Sequence, residues 1–254
     1  MVEFKKIQYG SGEVRYCDCL DKDHGLPSLE ENSFDLGFTD PVWGEDMKEN
    51  TRKYVKDRTL DNRNKVHFND NITDDFTREW FIELNRVCKR TVLVISDTLA
   101  KHLIHEFYPE YDPTIIPVLW KNGFSKNKRT KHSRRSLYLA YGDFPKENQF
   151  PFDYLAKRYY SSNTNLEPFT LEWGFCSKQR HFNHPSPKGL KIPLHIFKLL
   201  KPESILDSFA GSGSYIYAAS ILDIPFLAYE IDESKKYKED IDYRFAEQTI
   251  KEWI

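Results

Sequence analysis

The chain alternates short apolar runs with longer stretches in which apolar side chains recur every three or four positions. Seven runs have strand character, at residues 14–17, 34–39, 91–96, 115–120, 136–141, 204–208 and 225–230. Several are continuously apolar rather than alternating, the pattern of central strands covered on both faces. Over residues 75–89, Phe76, Trp80, Phe81, Leu84 and Val87 fall at helical spacing. Over residues 190–201, Ile192, Ile196, Phe197 and Leu200 share one side, and Pro202 stops the pattern. Residues 215–222 also read as helix. Strands alternating with helices predict an α/β layered fold on a mostly parallel central sheet. Two regions interrupt this rhythm. Residues 45–67, crowded with charge and Asn, read as a loop or lid, and residues 142–184, rich in Phe, Tyr, Asn and Pro, read as an inserted subdomain. Both follow strands, where loops at the carboxyl edge of an open sheet build binding sites.

A chain of 254 residues can bury one sizeable core, which favours a single elaborated domain over two equal ones. The pattern divides it into a first half over residues 1–141, an insertion over 142–183, and a second half over 184–254 of the same domain. No stretch approaches the ~20 apolar residues that span a bilayer, and the start lacks the apolar core of a signal peptide. A cytoplasmic protein without membrane contact is the expectation. Of the four cysteines only Cys17 and Cys19 lie close together, so idle or buried thiols are expected rather than a zinc site. The eight histidines show no H-x-x-x-H or H-E-x-x-H array, and no metal is expected.

The strongest local signal lies at residues 204–214. A strand ends near Asp207, and the chain turns through Phe209, Ala210, Gly211, Ser212 and Gly213 into a helix. Glycines at such a turn let a ligand lie against the backbone. The next strand ends in Glu230, 17 residues beyond Gly213, where a carboxylate is placed to accept the hydroxyls of a ribose. A dinucleotide fingerprint would need a third glycine where Ile216 stands, and the Gly-Lys-Ser/Thr ending of a P-loop is absent. Adenosine without a pyrophosphate fits best, which points to S-adenosylmethionine.

A second signal closes the strand over residues 34–39, which delivers Asp40, Pro41 and Trp43, followed by Gly44. An exocyclic amino group is a poor nucleophile because its lone pair is delocalised into the base. A carboxylate and a backbone carbonyl accepting its two hydrogens favour tetrahedral geometry and free that pair. Asp40 and the Pro41 carbonyl are candidates for these acceptors, and Trp43 for stacking on a flipped base.

Together these motifs resemble the S-adenosylmethionine-dependent amino methyltransferases acting on nucleic acid, in particular the permuted, beta-type DNA adenine-N6 and cytosine-N4 enzymes. Their tetrad, Asp/Ser-Pro-Pro-Tyr/Phe/Trp, is matched by Asp40-Pro41-Val42-Trp43. Their later Phe-x-Gly-x-Gly motif is matched by residues 209–213. Cys17-Asp18-Cys19-Leu20 resembles the element that contacts the cofactor adenine, and His184-Pro185-Ser186-Pro187-Lys188 the His-Pro-x-x-Lys-Pro element. Trp120-Lys121-Asn122 resembles the motif lining the target-base pocket. Val42, Ser208 and Gly189 stand where the family usually has proline, while Asp40 is retained. The resemblance implies a Rossmann-like class I methyltransferase fold with circularly permuted motif order and a small inserted target-recognition region. It also implies cofactor contacts from Asp18, Cys19, His184, Lys188, Asp207, residues 209–213 and Glu230, and an active enzyme.

The formal net charge is −2, yet residues 113–142 hold no acid and seven basic residues, Lys121, Lys126, Lys128, Arg129, Lys131, Arg134 and Arg135. Beside Trp120 and the implied base pocket, this segment reads as a nucleic-acid contact. Cytosine-C5 chemistry needs a Pro-Cys nucleophile, which the chain lacks. The reading is direct in-line methyl transfer to an exocyclic amino nitrogen of a flipped base in DNA, adenine N6 first because the tetrad begins with Asp. Its rivals are cytosine N4 in DNA, adenine N6 in RNA, and a catalytically weak nucleic-acid-binding partner subunit. A homodimer or a cognate restriction endonuclease are the further partners considered.

Overall fold

The computed structural model describes residues 4–41, 74–95, 103, 107, 110–111, 114–120, 134–142, 169–171, 182–184, 187–231 and 236–246. Nine strands form one sheet among these residues. They are β1 (Lys5–Tyr9), β2 (Gly12–Tyr16), β3 (Phe34–Thr39), β4 (Cys88–Ile95), β5 (Thr114–Trp120), β6 (Arg134–Gly142), β7 (Phe169–Leu171), β8 (Ile205–Asp207) and β9 (Phe226–Tyr229), in the order β1-β2-β9-β8-β3-β4-β6-β5-β7. The run from β2 to β4 is parallel throughout. β6 is antiparallel to both β4 and β5, and β1 is antiparallel to β2.

The continuous apolar runs are the buried strands, and period-two alternation shares them between two cores. Along β4, Val92 and Val94 join one cluster while Leu93 and Ile95 join the other, all fully enclosed. On the first face Leu36 and Phe38 of β3 meet Phe197 of α2 (Lys191–Leu200) and Tyr215 of α3 (Ser214–Ile221). Phe38 lies edge-on to both rings, with centroids 5.1 and 4.8 Å away. On the second face α1 (Asp74–Val87) lays down Trp80, Phe81, Leu84 and Val87, the stripe its spacing predicts. α3 is buried through residues 214–219 and has no polar face, as befits a helix enclosed on all sides.

All seven predicted strands are present, and both predicted α-helices and the helix after the glycines form. The differences lie at boundaries and edges. α1 ends at Val87 and β4 starts at Cys88 without a loop, where the pattern extends the helix to residue 89. β1 was not predicted because Lys5 and Lys6 interrupt its apolar content; such charges suit an edge strand. α4 (Lys236–Ala246) was not predicted either, because two of its four buried residues, Asp240 and Arg244, are charged. β7 falls inside the predicted insertion yet pairs in parallel with β5, so that segment contributes to the main sheet. The loop over residues 45–67 lies outside the described residues. No helix among the described residues is long and apolar enough to cross a membrane.

This topology fixes where a ligand can bind. From β8 the chain moves outward to β9, whereas β3 leads to β4 on the other side. The carboxyl ends of β8 and β3 therefore flank the switch point of the sheet, where open α/β folds form their crevice.

Candidate active site

Two loops meet at that crevice. At the end of β8, Asp207 is fully buried, and its Oδ1 accepts hydrogen bonds from Thr39 Oγ1 (2.8 Å) and the Phe209 amide (3.1 Å). Thr39 is the last residue of β3, so this bond fastens the two strand tips together directly before Asp40. The second oxygen, Asp207 Oδ2, is buried with no hydrogen-bond partner among the described residues. Burial pushes the Asp207 carboxyl up to about 7, with Asp40 adding to the shift and the two hydrogen bonds opposing it.

Beyond Asp207 the glycine-rich turn is zipped to the neighbouring strand. The Ala210 amide donates to the Tyr229 carbonyl at 2.9 Å, and the Gly211 amide to Glu230 Oε2 at 2.6 Å. Gly211 and Gly213 both take left-handed backbone, with φ of +51° and +73°. A Cβ on Gly211 would stand 2.9 Å from His184 Nε2, and one on Gly213 3.0 Å from Ile241 Cγ1. The turn thus requires glycine at both positions and presents bare backbone beside His184.

No protein-family model matches the chain. The type II methyltransferase M.HpaI of Haemophilus parainfluenzae is 27% identical over 249 residues, spanning 89% of this chain and 74% of that protein. The crystal structure of an M1.HpyAVI–SAM complex superposes with a TM-score of 0.55 at 16% identity, over 92% of this chain and 99% of that one. The PvuII DNA methyltransferase, titled cytosine-N4-specific, gives 0.53 at 15% identity, over 96% and 90%. The chain has the class I methyltransferase fold. Asp18, Asp40, Asp207 and Glu230 follow the carboxyl ends of the parallel strands β2, β3, β8 and β9, and so lie on one edge of the sheet.

Lys188 precedes α2, and its Nζ lies 2.7 Å from Asp40 Oδ2, both side chains being 15% exposed. The residue expected at the cofactor therefore pairs with the carboxylate expected at the base. Glu230, expected at a ribose, is buried at the tip of β9 with one oxygen on the Gly211 amide. The Phe209 ring packs towards α1, with centroids 5.3 Å from Trp80 and 6.4 Å from Phe76. Asp18 is exposed and caps its own turn by accepting the Leu20 amide at 2.9 Å. The Cys19 thiol sits in the second core, where burial raises its pKa, while Cys17 is half-buried and raised to about 11. Neither thiol is a ready nucleophile.

Trp120 and Arg134 face each other in the last rung of the β5–β6 ladder, and β5 runs parallel to β4 through their shared antiparallel neighbour. Trp120 therefore ends its strand at the same sheet edge as Asp40. Arg135 follows in β6, paired with Leu119. Val42, Trp43, Lys121, Lys126, Lys128, Arg129 and Lys131 lie outside the described residues.

Sequence reasoning missed three residues. Thr39 adjoins the tetrad but has no motif of its own. Asp240 accepts the amides of Asn183 (2.8 Å) and His184 (2.7 Å), and Arg244 donates to Ser212 and Ser214. Both belong to α4, whose charge-rich sequence looks like a solvent face.

Proposed function

We propose that this chain transfers a methyl group from S-adenosylmethionine to an exocyclic amino nitrogen in DNA, with adenine N6 as the preferred acceptor. The observation that carries the reading is the Thr39–Asp207 bond of 2.8 Å, which sets Asp40 beside the glycine-rich turn. The likeness to M.HpaI supports a DNA methyltransferase in a restriction-modification setting.

The residues present fit the cofactor. The glycine turn packs so closely on His184 and Ile241 that neither Gly211 nor Gly213 admits a side chain, Glu230 stands at the neighbouring strand tip, and Asp207 keeps a buried oxygen without a partner among the described residues. Residues 209–213, Glu230, Asp18, Cys19, His184, Lys188 and Asp207 would hold it. When bound, it supplies an electrophilic methyl group on a cationic sulfur. The chain's own residues handle the acceptor. Asp40 and the Pro41 carbonyl accept the two amino hydrogens, which frees the nitrogen lone pair. The nitrogen must shed a proton once it gains its new bond, and the Asp40 carboxylate at the tip of β3 is the base assigned to that proton. Trp43 stacks on the flipped base, and the basic segment of Trp120, Lys121, Lys126, Lys128, Arg129, Lys131, Arg134 and Arg135 follows the phosphate backbone. Residues 142–183 supply target recognition.

The test is incubation with labelled cofactor and mixed unmethylated DNA, followed by nucleoside analysis. N6-methyladenine is expected, with Asp40→Ala lowering the rate by roughly 10²–10³-fold. N4-methylcytosine would move the acceptor, since a cytosine-N4 enzyme shares this fold. Transfer to RNA alone would move the substrate. Tight DNA binding with no transfer to any acceptor would replace the enzyme by a partner subunit.

A further inference from the structure

We propose that Arg244 is a positioning residue that ties the cofactor turn to the base-binding carboxylate; the inference rests on the methyltransferase reading above. Its side chain lies on the last turn of α4 and is fully enclosed. Nε donates to the Ser212 carbonyl at 2.5 Å. Nη2 donates to Ser214 Oγ at 2.9 Å, to the Lys188 carbonyl at 3.1 Å and to Ser212 Oγ at 3.3 Å. Ser214 Oγ itself donates to the Lys188 carbonyl at 2.9 Å, closing a small ring. The Phe182 ring covers the guanidinium at 4.5 Å.

One cation therefore fixes two objects. It holds the backbone between Gly211 and Gly213, and it holds the carbonyl of the residue whose ammonium reaches Asp40. A helix that merely covered the sheet would be better served by apolar residues such as Ile241, because a buried charge costs desolvation. The planar fork of arginine explains the choice, since its donors point in several fixed directions at once and a lysine offers one point charge. Asp240, one turn earlier, holds the His184 amide, so α4 grips the whole approach to the turn. A shift of the Lys188 carbonyl moves the Lys188–Asp40 pair and the turn together.

The experiment uses the full chain and three substitutions, Arg244→Lys, Ser214→Ala and Lys188→Gln. S-adenosylhomocysteine affinity is measured by calorimetry, and kcat on unmethylated DNA at saturating ligands, well below each melting temperature. Arg244→Lys is expected to weaken the affinity about tenfold and to lower kcat roughly ten- to a hundredfold, the scale of an ångström-level misplacement. Ser214→Ala removes one arm of the ring without burying a new charge and should move both quantities about threefold, the scale of one hydrogen bond. Lys188→Gln should cost less in either variant than in the parent chain, because all three act through one contact. A lower melting temperature with parental affinity and kcat would overturn the proposal, as would equal Lys188→Gln losses in every background. Should Arg244→Lys fail to fold, Ser214→Ala and its combination with Lys188→Gln decide. A parent chain that neither binds S-adenosylhomocysteine nor transfers methyl overturns the functional reading and this inference with it. A working parent with an unaffected Ser214→Ala variant overturns this inference alone.

Discussion

Asp207 shows what enclosure does to a single carboxyl group. Its pKa is pushed up from 3.8 to about 7, chiefly by burial. Between about pH 4 and pH 7 the folded chain keeps a proton that the unfolded chain has released, so stability falls as pH rises through that window, by up to about 1.4 kcal/mol per pH unit. Asp207→Asn keeps an acceptor for Thr39 and Phe209 and removes the titration. Urea denaturation across pH 4–8 is expected to show a flatter profile for the variant and greater stability than the parent at pH 8; an unchanged slope would sink the assignment. Gly211→Ala meets a different obstacle, backbone in the left-handed region and His184 Nε2 at 2.9 Å from the new Cβ. It should lose about 1–2 kcal/mol from the backbone alone and weaken S-adenosylhomocysteine binding measurably. At this scale the sequence was legible where a residue sits inside a local motif, as Gly211, Gly213, Asp40 and Glu230 do. Thr39 and Arg244 were not, because their partners lie 168 and 32 residues away and no local pattern announces them. The Lys188–Asp40 pair was half legible: both residues stood out, but as members of separate functions.

Elements were legible in proportion to how much apolar surface they bury. β4 announces itself by the unbroken apolar run of residues 92–95, β3 by Leu36 and Phe38 around Gly37, and α1 by the stripe that fills the second core. Phe81 concentrates that packing, fully buried with Phe107 at 4.4 Å, Tyr141 at 5.1 Å and Tyr111 at 5.3 Å between ring centroids. Phe81→Ala is expected to cost about 3–5 kcal/mol in chemical denaturation, and a loss below about 1 kcal/mol would show that α1 is not anchored there. β1 escaped notice because an edge strand buries little. α4 escaped for a subtler reason. Its inward face combines Tyr237 and Ile241 with Asp240 and Arg244, so half of what it buries is hydrogen-bonded rather than apolar. Hydrophobic periodicity detects helices that cover a core; it overlooks one whose task is to hold loops by polar contact.

On the scale of the whole molecule, charge is polarised rather than absent. The seven basic residues and missing acids of residues 113–142 leave thirty basic against thirty-nine acidic residues elsewhere. Under the proposed function, DNA affinity should fall steeply with salt, and Arg134→Gln with Arg135→Gln should reduce the slope of log K against log salt by about two. A slope unaltered by both changes would remove the β6 start from the DNA contact.

The pairing of β3 with β8 also bears on how the molecule comes into being. Thr39 and Asp207 are 168 residues apart, so no ladder joins their strands until most of the chain exists. At roughly 5–20 residues per second, the ribosome needs about ten to thirty seconds to bridge that gap. Through that interval the edge of β3 that β8 later covers has no strand ladder, the kind of edge that invites non-native pairing. Contacts this distant also slow folding, because loop closure must precede their reward. A chain interrupted before residue 205 carries Asp40 but has no turn to set beside it.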